Sequence, residues 1–197
     1  LMFSEAESSG MWPCQLREGK VSCLAKNDAP ACVMDYRPIT VLGLLYRIWG
    51  SHHARLGIRA IDSILPSTLY GSRPSRYAGQ VWSQLLWAVE DSIAHDVSLS
   101  GIFADIQKAF NCLPRFVIFE IAALVGIPMR VLTAWAGALP DLGRRFQLGP
   151  NLTKAAYSVT GLPEGDGLSC LGMVLIDMLF HAWPLAFFPL CQPVSYV

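Results

Sequence analysis

The chain has 197 residues, 53% of them hydrophobic and 15% charged, with 15 Lys and Arg balanced by 15 Asp and Glu. That length builds one sizeable core, and that apolar content excludes a disordered chain. Zero net charge excludes a global field that would draw in a polyanion, so any such partner must be held by a local patch.

Leu1–Lys20 mixes acids, Ser, Gly and Pro without a period and reads as an irregular lead-in. Lys20–Lys26 has strand character, and Asn27–Ala31, with Asp28 and Pro30, is a turn. Pro38 holds Arg37 extended. Thr40 is then the expected N-cap of a helix from Val41 to about Leu56, closed by Gly57, with Leu44, Leu45, Ile48 and Trp49 on one stripe and Arg47 and Arg55 elsewhere. A basic loop, Tyr70–Pro74, precedes a helix from Ser75 or Tyr77 to about His95. Its inward positions are Val81, Leu85, Ala88, Val89 and Ile93, flanked by Trp82 and Trp87.

Gly101–Asp105 reads as a short apolar strand that delivers one carboxylate to its end, just before the turn at Asn111–Pro114. Pro114 starts a helix that Gly126 closes, and Pro128 starts another to about Leu139. Arg144–Leu148 and Ala155–Val159 read as a hairpin. Gly161–Gly167 is a glycine-rich loop with two acids. Ser169 caps an apolar helix from about Cys170 to His181, which Pro184 and Pro189 break. Pro193–Val197 reads as the start of a final strand. From Gly101 on, this order predicts an α+β arrangement, an antiparallel sheet of ferredoxin-like type with helices on one face.

Charge is unevenly placed. Six arginines (Arg37, Arg47, Arg55, Arg59, Arg73, Arg76) face a single acid, Asp62, between Arg37 and Arg76. After Lys154 there is no Lys or Arg, while Glu164, Asp166 and Asp177 follow. This fits a groove with a polyanion on one side and metal ions on the other, or a plain solvated helix face. The six cysteines show no zinc spacing and read as buried free thiols of a reducing compartment, so the expected location is intracellular, nuclear or cytoplasmic, and not secreted. The chain opens on Leu1 and stops within an apolar run, which reads as a fragment.

Several separated motifs then share one order: Val21–Lys26, Tyr36-Arg37-Pro38-Ile39, Leu65-Pro66 with Gly71–Pro74, Phe103–Phe110, Gly126-Ile127-Pro128, and Gly161–Ser169. Together they make the chain, from about Val21 on, resemble reverse transcriptases of the non-LTR retrotransposon and group II intron type. After the lead-in over 1–20, the resemblance implies a fingers-like region over 21–100 and a partial palm over 101–197, in which the strand begun by Ser195-Tyr196-Val197 is expected to neighbour Gly101–Asp105 and the chain ends before that second catalytic strand's carboxylates. It implies template-directed DNA synthesis from dNTPs by two-metal phosphoryl transfer, with Mg2+ or Mn2+, an RNA template, a DNA primer, and the remaining palm and thumb as partners. Asp105 matches the catalytic, metal-binding carboxylate, with the backbone carbonyl of Ile106 as a secondary ligand. Lys26 and Arg37 match residues that hold the triphosphate. Phe110 matches the residue beneath the incoming sugar. Arg73, Gly161, Pro163 and Gly165 match the template–primer surface. The chain departs from the family at Asn111, where a second acid is usual, and in the loop, where Glu164 and Asp166 replace Gln and Ser. One carboxylate cannot hold two metals, so this chain is expected not to polymerise. The alternatives are a degenerate, non-enzymatic remnant, and a membrane-associated protein through Leu168–Leu190. No membrane is the leading expectation, because Asp177, His181 and two prolines interrupt that stretch.

Overall fold

The structure is a computed structural model and describes residues 1–196. Among them are seven α-helices and one four-stranded sheet, an α+β fold. In chain order these are α1 (Met2–Ser9), β1 (Glu18–Ala25), β2 (Tyr36–Leu42), α2 (Leu44–Ile61), α3 (Ala78–Ala94), α4 (Ala109–Cys112), α5 (Arg115–Leu124), α6 (Met129–Ala138), β3 (Gly143–Leu148), β4 (Asn151–Leu152) and α7 (Gly167–Phe187).

The sheet differs from the expected one. Its order is β2-β1-β3-β4, and β1 pairs antiparallel with β2 but parallel with β3. It is therefore a mixed sheet that joins the first half of the chain to β3, and the expected hairpin forms differently: β3 turns back into Asn151–Leu152, while of Ala155–Val159 only Ala156 bridges back, to Arg144. Gly101–Asp105 is not a strand in it: residues 101–106 are irregular, with Ile102 97% and Phe103 84% exposed. A lone five-residue run leaves its backbone donors and acceptors without ladder partners unless a neighbour pairs with it. The expected neighbour pairs elsewhere. Ser195 bridges Leu69, its N–H donating to Thr68 O and its carbonyl accepting from Tyr70 N. Of the Pro193–Val197 strand start, Val197 lies outside the described residues.

Helix α2 starts at Leu44, three residues later than the expected Val41, because β2 takes the β-branched run Ile39-Thr40-Val41, paired with Ser22, Val21 and Lys20. Its inward face is also rotated from the expected one. Tyr46, Trp49, Gly50, Ala54, Gly57, Ile58 and Ile61 are buried, whereas Leu44, Leu45 and Ile48 face solvent. Gly57 does not end the helix but lets α7 approach: a Cβ there would lie 3.0 Å from Leu171 Cδ2. The lead-in is not irregular throughout either. Residues Met2–Ser9 are helical and pack on α6, with the Glu7 carboxylate accepting from Trp49 Nε1 at 3.0 Å.

Helix α7 is the central core element, packed on α2 and α5 through Leu168, Leu171, Val174 and Leu175. Its N-cap is Asp166, which accepts from Leu168 N, and Ser169 instead donates to Pro163 O. Pro184 sits inside the last turns without ending the helix, and Pro189 lies beyond it. By length and mean hydropathy (1.7) α7 could cross a membrane, but 44% of that window is buried in this fold. Helices α5 and α6 form as expected from Pro114, Gly126 and Pro128. Helix α3 also forms, with Val81, Leu85 and Ala88 half-buried but Val89, Ile93, Trp82 and Trp87 exposed. The cysteines are free, yet only Cys170 is half-buried; the other five are exposed.

Candidate functional site

The β1–β2 hairpin brings Lys26 and Arg37 together. Leu24 pairs with Arg37, and Lys26 N–H continues the ladder to Asp35 O at 2.7 Å. Two residues along a strand share a face, so Lys26 and Arg37 are diagonal neighbours on one exposed face, about 7–8 Å apart at the backbone. The turn between them is tied by Asp35, whose carboxylate accepts from Ala31 N and Cys32 N at 2.8 and 3.0 Å. Those backbone donors, Cys32 first, hold its pKa below the usual carboxylate value. Lys26 Nζ donates to Met34 O at 2.9 Å and keeps further donor capacity. Two cations on one hairpin face can hold a phosphate chain, one as a point charge and one as a planar fork.

A second cluster joins three motifs distant in sequence. Leu162 N donates to Phe110 O at 2.6 Å, and Gly161 N donates to Leu113 O at 2.9 Å. Glu164 stands at the centre: its carbonyl accepts from Thr40 N at 2.6 Å, and its carboxylate accepts from Asn111 Nδ2 at 2.9 Å. The loop thus caps the free edge of β2 and the turn after Phe110 at once. Its glycines are required by geometry. Gly161 has φ +73°, and a Cβ there would lie 2.3 Å from Asn111 O; Gly165 has φ +104°, with Thr40 O 2.7 Å from its would-be Cβ. Pro163 is buried beneath the loop. Arg115, first residue of α5, donates through Nε to Gly161 O at 2.7 Å. Burial, then the nearby Arg144 charge, pushes the Arg115 guanidinium down from its usual value.

Beside this cluster is a cavity of about 160 Å³ lined by Val21, Pro38, Thr40, Asn111, Arg144, Phe146 and Ala156. Val21, Pro38 and Thr40 are on the inner face of the hairpin, the one opposite Lys26 and Arg37. Phe110 is half-buried and packs against the core. The two halves of the expected nucleotide site therefore lie on the two faces of one hairpin.

Asp105 joins neither half. It is exposed on the irregular segment, as is Ile106, and Lys108 in the left-handed region (φ 53°) turns the chain from there into α4. Among the described residues no three His, Cys, Asp or Glu side chains converge on a metal position. A two-ion centre needs at least a second carboxylate beside Asp105. The residues present do not fit Mg2+ or Mn2+ chemistry by themselves.

Arg73 has a different place from the surface or solvated one expected. It is 8% exposed, and its guanidinium donates to Asp62 Oδ1 at 2.8 Å, Pro66 O at 2.7 Å, Leu69 O at 3.0 Å and Asp62 O at 3.3 Å. With its donors turned inward it ties the loop after α2 into a clamp, because a buried guanidinium must satisfy its own N–H groups.

Sequence reasoning missed Asn111 and Glu164 as a pair. The signal was there: two of the positions that depart from the pattern the chain resembles, Asn111 and Glu164, exchange an amide and a carboxylate, and they touch. No protein-family model matches this chain, and no curated protein matches it.

Proposed function

We propose that the chain is the fingers-like region and part of the palm of a retroelement-type reverse transcriptase, an RNA-directed DNA polymerase. The observation that carries this reading is Glu164, which links the Thr40 strand, the Phe110-Asn111 turn and the glycine-rich loop in one cluster. These are the segments on which the sequence resemblance rests, and their mutual packing is what a shared site requires. In this reading Lys26 and Arg37 hold the triphosphate of a dNTP and Gly161, Pro163 and Gly165 let the backbone approach the template–primer pair, while Phe110, half-buried against the core, does not share that nucleotide's face of the hairpin. Asp105 is one acid of the metal-binding set in an assembly that supplies the second acid, the remaining palm and the thumb. The chain alone does not polymerise.

Nucleotide binding tests this. A fluorescent dNTP is expected to bind the chain more tightly than the matching nucleoside, with Lys26→Ala and Arg37→Ala each removing most of the difference. Equal binding of nucleotide and nucleoside refutes the assignment. Primer extension on poly(A) by the chain alone refutes the inactivity. In an active protein containing this segment, Asp105→Ala is expected to abolish synthesis.

A non-enzymatic remnant is the second reading, favoured by the exposed, unpaired segment that carries Ile102, Phe103 and Asp105. Large exposed apolar side chains there favour self-association. It predicts no difference between dNTP and nucleoside in the same titration.

A further inference from the structure

We propose that the cavity on the inner face of the β1–β2 hairpin is a binding site for a small aromatic monocarboxylate, held by Arg144. The site lies on the face opposite Lys26 and Arg37, uses neither of them, and takes a ligand that is not a nucleotide.

Three strands build its floor. Thr40 of β2 pairs with Val21 of β1, and Val21 pairs with Phe146 of β3, so these side chains form one row across the sheet. Pro38 and Arg144 stand two residues along their strands from Thr40 and Phe146 and share that face. Ala156, which bridges Arg144, and Asn111 of α4 complete the lining. The cavity measures about 160 Å³. An apolar cavity of about 150 Å³ is enough for a benzene ring. Val21, Pro38 and Phe146 give this one walls that suit a ring.

Arg144 supplies the polar end. The other arginines nearby have partners. Arg115 donates to Gly161 O at 2.7 Å, and Arg145, on the opposite face of β3, pairs with Glu18 at 3.1 Å. The Arg144 guanidinium enters no ion pair among the described residues. Arg144 is half-buried. That burial pushes the guanidinium down from its usual value, and the Glu164 charge acts the other way. A guanidinium withdrawn from water needs acceptors for its N–H groups, and a carboxylate matches its planar fork.

The charge balance selects a single negative charge. Arg144 acts on Arg115, and Glu164 acts on Arg144. Two cations and one carboxylate leave one positive charge over, which a monoanion neutralises. A phosphate dianion would leave excess negative charge beside Glu164. Asn111 decides this balance too. The acid usual at that position in the reverse transcriptase pattern would cancel the positive charge. The amide instead gives one N–H to Glu164 at 2.9 Å and keeps a second.

The test is a fluorine NMR titration of para-fluorobenzoate with the whole chain near neutral pH, beside para-fluorobenzamide, its neutral isostere. The acid is expected to bind with a Kd of about 1 mM or tighter, in keeping with its size, and the amide at least tenfold more weakly. Arg144→Gln should weaken the acid at least tenfold and leave the amide unchanged, and a melt checks that this variant folds. Saturating dCTP is expected not to displace the acid. Equal binding of acid and amide by the parent overturns the proposal without recourse to any variant. So does a folded Arg144→Gln chain that still prefers the acid. Displacement by dCTP also overturns it, because the cavity would then belong to the nucleotide site. The nucleotide assignment fails separately, through equal binding of dNTP and nucleoside.

Discussion

Replacing Asn111 by Asp sets a second carboxylate against Glu164. The present bond is Asn111 Nδ2 to Glu164 Oε1 at 2.9 Å, between half-buried side chains. In Asn111→Asp this donor becomes an anion. Two unit charges about 4 Å apart repel by about 1 kcal/mol in bulk water and about 4 kcal/mol at the effective dielectric of a protein surface. The Arg144 charge acts on Glu164 and offsets part of this. A destabilisation of about 2 kcal/mol at pH 8 is therefore expected. Adding Glu164→Gln returns a carboxylate–amide pair with the roles exchanged and should recover most of the loss. Urea melts of the parent, both single variants and the double variant at pH 8 form the cycle. A double variant no more stable than Asn111→Asp at pH 8 refutes the pairing argument.

Asp166 is buried, and that burial raises its pKa from 3.8 to about 6, although Leu168 N and Tyr46 donate to it. A folded pKa above the unfolded one means that the folded chain holds the proton longer. The stability this contributes is complete below pH 3.8 and is lost as pH rises through about 6. Asp166→Asn keeps an N-cap acceptor and has nothing to ionise, so at pH 8 it should be more stable than the parent by about 1–3 kcal/mol, a gain absent at pH 4 in paired thermal melts. Gly161→Ala should cost at least about 2 kcal/mol, since both φ +73° and the Asn111 carbonyl oppose a Cβ; a urea midpoint equal to the parent's would contradict the close approach. Arg73→Gln should cost about 3 kcal/mol by stranding Asp62 and two carbonyls, and Arg73→Lys should recover little of it because an ammonium cannot reach all four acceptors in one plane.

Local punctuation made α5 and α6 legible, because Pro114, Gly126 and Pro128 limit where a helix can begin or end whatever surrounds it. The first strand, expected over Lys20–Lys26 and found over Glu18–Ala25, and the turn after it were also readable in outline, whereas the pairing of β1 with β2 was not. The order of the predicted elements gave the α+β class, and the arginine-rich stretch is visible in the sequence directly. What the sequence left open was set by contacts between distant segments. Periodicity shows which residues share a face of α2, but two apolar faces were available, and packing on α7 chose the one with Tyr46, Trp49 and Ala54. Strand propensity in Gly101–Asp105 came to nothing without a neighbour to complete its hydrogen bonds. The segment that was expected to be that neighbour bonded to Thr68 and Tyr70 instead. Whether Arg73 met solvent or the interior, and whether Asn111 met Glu164, depended on how loops folded back across 53 residues or over α2. A hydrogen bond needs its partner within about 3 Å, and no local pattern encodes which distant residue arrives there.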